Sequence, residues 1–152
     1  MAERRRRREP TDLQSRALRL LAGGAIGGHL ALVVSVAVFA ATRGPRSAVW
    51  ALLAGLVTIV FFTIGQGIQV LVADADPKVL MVASLASFAL RAGALGLLLV
   101  WSQQNAERIP SLDPIALAAT AIAVVVGWLT AEIWVFTRLR IPIYDPPSDQ
   151  RE

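Results

Sequence analysis

Four long apolar stretches separated by short polar punctuation dominate the chain, at about residues 20–41, 48–72, 79–101 and 115–137. A helix rises about 1.5 Å per residue, so about 20 mostly apolar residues cross the hydrocarbon core of a bilayer. Each stretch meets that length. As helices, all four satisfy their own backbone hydrogen bonds, which lipid demands. The pattern predicts an all-α membrane protein. A four-helix transmembrane domain over residues 20–137 lies between a basic tail at 1–19 and a second tail at 138–152.

The polar punctuation agrees with this division. Asp76-Pro77 and Asp113-Pro114 each place a side-chain acceptor before a residue that lacks an N–H, as at the start of a helix. Gly44-Pro45 makes the first connection a tight turn, with Ser47 available as a cap, and Pro142, Pro146 and Pro147 stop the fourth helix. Such short connections predict an antiparallel bundle. A cleavable secretory signal is the alternative for the first stretch, with Val38-Phe39-Ala40 as its cleavage site. Against it stand the length of the apolar run and the three further spans that follow.

Composition sharpens the picture. The chain is 55% hydrophobic and 17% charged, against about 25% charged in soluble domains. The net charge of +4 belongs to the tails, with Arg4, Arg5, Arg6, Arg7 and Arg8 opening the chain. Nucleic acid is excluded as a partner, because base-reading or stacking residues do not interleave with this run. Anionic lipid headgroups suit it better. Arg16, Arg19, Lys78, Arg138, Arg140 and Arg151 fall on the same side as the run, whereas Arg43, Arg46 and Arg108 fall on the other. By the positive-inside rule both termini are cytoplasmic, in the inner membrane of the cell. Trp50 and Trp101 then belong to the outer interface and Trp134 and Tyr144 to the inner one, while Trp128 lies too deep for either. With no cysteine and one histidine, thiolate chemistry and a histidine metal site are excluded, and no cofactor is expected.

Helices in lipid associate through close approach of small residues and a few polar contacts. Gly23 with Gly27, and Gly24 with Gly28, form overlapping small-residue pairs on the first span. Ala92 with Gly96 repeats the spacing on the third, and Ala123, Gly127 and Ala131 repeat it on the fourth. Packing within the bundle is the simpler use of these stripes; docking another membrane protein or a second copy is the other. The glycines of the first span also mimic a phosphate loop, but His29-Leu30 follows where Lys-Ser/Thr is required.

Ionisable groups inside a membrane cost about 2.5–3.5 kcal/mol each, which makes them the first place to look for function. Counted from the cytoplasmic ends at the helical rise, Glu132 lies roughly 8 Å deep, Gln66 roughly 9 Å, His29 roughly 14 Å and Arg91 roughly 18 Å. The long Arg91 side chain brings its head toward the others. The expected cluster is an Arg91–Glu132 ion pair completed by Gln66 and His29. It either fixes the register of the third and fourth helices or carries function. One carboxylate beside an arginine makes a poor divalent-cation site. No serine or threonine in the spans joins a histidine and an acid in a catalytic arrangement, so an enzyme is not expected.

The third span, Ser87-Phe88-Ala89-Leu90-Arg91-Ala92-Gly93-Ala94-Leu95-Gly96, and the tail from Phe136 through Arg138, Arg140, Pro142, Tyr144 and Asp145 resemble the ATP synthase protein I family in its actinobacterial form. The resemblance covers the four-span layout over nearly the whole chain, and the tail is its most specific part. Arg91 stands where family members often have a lysine. Phe88 stands where many have a glutamate, which leaves Glu132 as the available acid. The resemblance implies help in assembling or stabilising the rotor ring of subunit c in an F-type ATP synthase. It also implies the alternative of Mg²⁺ or Ca²⁺ uptake.

Overall fold

A computed structural model describes residues 12–139. Arg4 to Arg8, Arg140, Pro142, Tyr144 and Asp145 lie outside the described residues. All regular structure within them is α-helical, in the order α1 (Asp12–Arg43), α2 (Pro45–Leu71), α3 (Pro77–Asn105) and α4 (Pro114–Arg138). The four are long and apolar enough to cross a membrane. Each starts before its expected span, α1 most of all, by two turns, and α2 ends one residue short of it.

The helix starts follow from the punctuation, with one exception. Asp113 caps α4, its Oδ1 accepting from the N–H groups of Ile115 at 3.1 Å and Ala116 at 3.0 Å. Asp76 holds the same position before α3 without making a side-chain cap. Ser47 does not cap α2, because Pro45 already opens that helix and Ser47 stands inside it. Its hydroxyl donates to Asp113 Oδ2 at 2.7 Å instead. A single residue, Gly44, reverses the chain between α1 and α2 at φ 88°, a left-handed conformation that favours glycine.

Glycine decides how the core closes. Antiparallel α1 and α4 cross with Gly27 against Gly127, where a Cβ on Gly127 would stand 2.7 Å from the Ala31 Cβ and 2.8 Å from the Gly27 carbonyl oxygen. One turn away Gly23 meets Val135, so the small residues of the first and fourth spans are consumed on each other. Gly24 and Gly28 open a groove on the neighbouring side of α1, and the indole of Trp128 fills it. Trp128 is fully buried, in a core with Leu32, Ile59, Phe62 and Val124. That role accounts for a tryptophan placed too deep for an interfacial belt.

Helix α3 sits outside this three-helix core. It touches α2 and, sparsely, α4, but not α1. Among its residues only Ser87 and Ser102 are buried. A Cβ on Gly93 or Gly96 would meet nothing within 4 Å, so the Ala92–Gly96 stripe is not used for packing inside the bundle.

The end of the bundle carrying the α1–α2 and α3–α4 connections is tied together. Trp50 Nε1 donates to the Ser111 carbonyl at 2.7 Å, and Trp50 and Trp101 meet with ring centroids 6.4 Å apart. Arg43 reaches Asp113 at 3.3 Å. Leu112 tucks beneath, against Ala54 and Leu117.

Candidate functional site

At the opposite end, three helices each contribute a polar side chain to one connected group. Gln66 Nε2 on α2 donates to Glu132 Oε1 on α4 at 2.7 Å, and Arg91 Nη2 on α3 donates to Gln66 Oε1 at 2.8 Å. The expected direct Arg91–Glu132 ion pair is therefore replaced by a relay through the Gln66 carboxamide. Arg43 and Asp113 form an ion pair at the far end of the bundle.

The fold sets this arrangement through the parallel run of α2 and α4. Gln66 and Glu132 are separated by 66 positions, and so are Ser47 and Asp113 at the far end. The two hydrogen bonds pin one register at both ends of the same helix pair. Arg91 enters from α3 across Gly65, where a Cβ would stand 2.5 Å from Arg91 Nε and 2.8 Å from Ser87 Oγ. Ser87, one turn before Arg91, donates to the Gly65 carbonyl at 2.8 Å and holds α3 in place. The guanidinium lies over the Phe62 ring, with Cζ 5.0 Å from the centroid. Phe62 in turn meets Trp128 edge-on at 5.6 Å. Such a cation–π contact gains strength where water is excluded. Arg91 Nε is buried and has no hydrogen-bond partner among the described residues.

His29 is not part of the group. Its Nδ1 is 2.7 Å from the carbonyl of Ala25 on its own helix, and the ring lies on the exposed outer face of α1 beside Ile26, Leu30 and Val33. The packed face of α1 is the glycine face, and His29 falls outside it. Sequence reasoning missed Gly65, Ser87 and Phe62. The spacing of Ser87 and Arg91 by one helical turn, which puts both on one face of α3, is the sequence signal for that contact.

Gln66, Gln69, Arg91 and Glu132 line a pocket of about 340 Å³. A hollow of about 590 Å³ at the tied end is larger, but its carboxylate, Asp113, is committed to a helix cap, Ser47 and Arg43. Partial burial raises the pKa of Asp113; the hydrogen bonds from Ala116, Ser47 and Arg43, with the charge of Arg43, outweigh it and hold the carboxyl below its ordinary value. The relay pocket is the one that brings a cation and an anion from two helices to one carboxamide.

No protein-family model, curated protein or solved structure matches the chain. The reading of function therefore rests on the residues themselves.

Proposed function

We propose that this chain is a non-catalytic, multi-pass protein of the cell membrane with both termini cytoplasmic. In this reading it assists assembly or stability of the membrane sector of an F-type ATP synthase, by docking against the rotor-ring subunit c. The observation that carries the docking half is α3. The small residues of α1 and α4 are spent on each other, whereas Ala92, Gly93 and Gly96 stand exposed on a helix held along one side. A bare small-residue stripe lets a second helix come close in lipid, where packing rather than hydrophobicity drives association. The synthase as the destination rests on the resemblance of the third span and the tail, and the orientation rests on the distribution of Lys and Arg.

Metal-ion transport is the competing reading, and the relay disfavours it. Glu132 is its one carboxylate and is already hydrogen-bonded by Gln66, with a guanidinium on the other side of the amide. Divalent cations want several oxygen ligands together.

The deciding experiment has two arms. The tagged chain is purified from its native membrane and probed for subunit c, and intact ring is quantified in cells lacking the chain. Association together with a reduced ring is expected. Normal ring without association would overturn the reading. Mg²⁺ or Ca²⁺ flux in proteoliposomes that Glu132→Gln abolishes would replace it with the transporter.

A further inference from the structure

The relay pocket has a composition that selects a particular kind of molecule. Its walls hold a guanidinium and a carboxylate on either side of the Gln66 carboxamide, with Gln69 as a further polar group and Leu20, Leu129, Ile133 and Phe136 as the apolar remainder. The apolar part comes mainly from α4, where Ile133 and Phe136 at the mouth are 62% and 53% exposed. These two side chains of the pocket wall thus face whatever surrounds the bundle. In a bilayer that surrounding is lipid.

Depth narrows the choice. Trp134, two residues beyond Glu132, carries the Arg138 guanidinium over its ring at 5.3 Å. Tryptophan and arginine near a helix end sit at the headgroup level of a membrane. Glu132 is therefore within about 3 Å of that anchor along the helix axis. A cation and an anion lining one pocket at this level match the two charges of a zwitterionic headgroup.

We infer that the pocket binds a phospholipid whose headgroup joins a phosphodiester to a primary amine, with Arg91 receiving the phosphate and Glu132 the ammonium. Arg91 lines the pocket, and its guanidinium carries more N–H groups than the one Nη2 bond to Gln66 uses. Guanidinium and phosphate form charge-assisted, often paired hydrogen bonds. Glu132 keeps purely anionic headgroups out by repulsion. A choline headgroup is disfavoured because a quaternary ammonium donates no hydrogen bond to the carboxylate. The volume of about 340 Å³ suits a headgroup rather than a whole lipid, with the acyl chains left outside along Leu129 and Ile133. This inference does not rest on the synthase reading.

The test uses the purified full chain in detergent, equilibrated with equal amounts of phosphatidylethanolamine, phosphatidylglycerol and phosphatidylcholine. Retained lipid is read by mass spectrometry. Phosphatidylethanolamine should be enriched about tenfold over the other two, the scale of one charge-assisted hydrogen bond. Glu132→Gln should erase the discrimination against phosphatidylglycerol, and Arg91→Lys should retain lipid where Arg91→Gln loses it. Equal retention of the three by the unaltered chain overturns the inference, as does unchanged retention in Arg91→Gln. Should Arg91→Gln not fold, Ile133→Trp fills the mouth from an exposed position, and undiminished retention in that variant is equally fatal. Soluble glycerophosphoethanolamine should fail to displace the lipid. Displacement at comparable concentration would assign the pocket to a soluble phosphoamine instead.

Discussion

Gln66 serves partners of opposite charge because a carboxamide carries a donor and an acceptor on one rigid plane. The amide must present its N–H₂ to Glu132 and its carbonyl to Arg91, as it does. The same group can turn over. Exchanging the charges, Arg91→Glu with Glu132→Arg, should therefore be tolerated better than either single change, since a flipped Gln66 again meets a donor on one side and an acceptor on the other. Each single change should destabilise by about 1–3 kcal/mol or more, the cost of a buried polar group left unpaired. Unfolding midpoints in detergent, compared across the three variants, check this; a double variant no more stable than the singles would show that the relay contributes nothing. At the tied end, Asp113 offers a pH-dependent counterpart. Its folded pKa lies below the unfolded one, so near pH 4 the unfolded state binds more protons and stability rises with pH. The contribution should be complete at neutral pH and fade as pH falls from about 4 through the lower, folded value. Thermal melts across that range should steepen for the unaltered chain and flatten for Asp113→Asn.

At the scale of the helix, two small-residue stripes that look alike in sequence have different fates. Gly127 faces Ala31 and Gly27 at contact distance, whereas Gly96 faces open space. Gly127→Leu should force α1 and α4 apart, at the 1–3 kcal/mol or more typical of overpacking. Gly96→Leu should leave stability within about 0.5 kcal/mol, like other surface changes. It should nevertheless weaken co-purification with subunit c if α3 is the docking helix. Melting temperature and pull-down yield, measured on both variants, separate the two roles. This contrast also marks what the sequence could tell. The four spans and the start of α4 were legible, because apolar length and an Asp-Pro step are local signals. The shared level of Gln66 and Glu132 was legible too, since rise per residue needs no partner. Helix rotation was not. Spacing says that Gly23 to Gly28 and Ala92 to Gly96 form stripes, but only packing reveals that the first is covered and the second bare. For the same reason His29, on the far side of the α1 glycine face, could not be separated from the cluster by depth alone.

The molecule as a whole has two unlike ends. Where the α1–α2 and α3–α4 connections meet, Ser47, Trp50, Arg43 and Asp113 lock loop to helix across the bundle. At the other end Ser87 and Arg91 tie α3 to α2, and the charged relay lines a pocket. The leaflet that holds the pocket determines which lipids and which partner segments it can meet, so orientation carries the functional argument. The absence of cysteine makes this directly measurable. Asp76 and Glu107 are exposed at opposite ends, and the Asp76 side chain makes no cap, so a cysteine at either position should leave the fold intact. In intact cells a membrane-impermeant maleimide should label Glu107→Cys and spare Asp76→Cys until the membrane is broken. That outcome places the relay in the inner leaflet, on the same side as the start of α1, where inner-leaflet lipid is within reach and the proposed assembly role is possible. The reverse pattern would turn the pocket outward and remove the cytoplasmic assembly role, while leaving the chemistry of the pocket itself to be tested on its own.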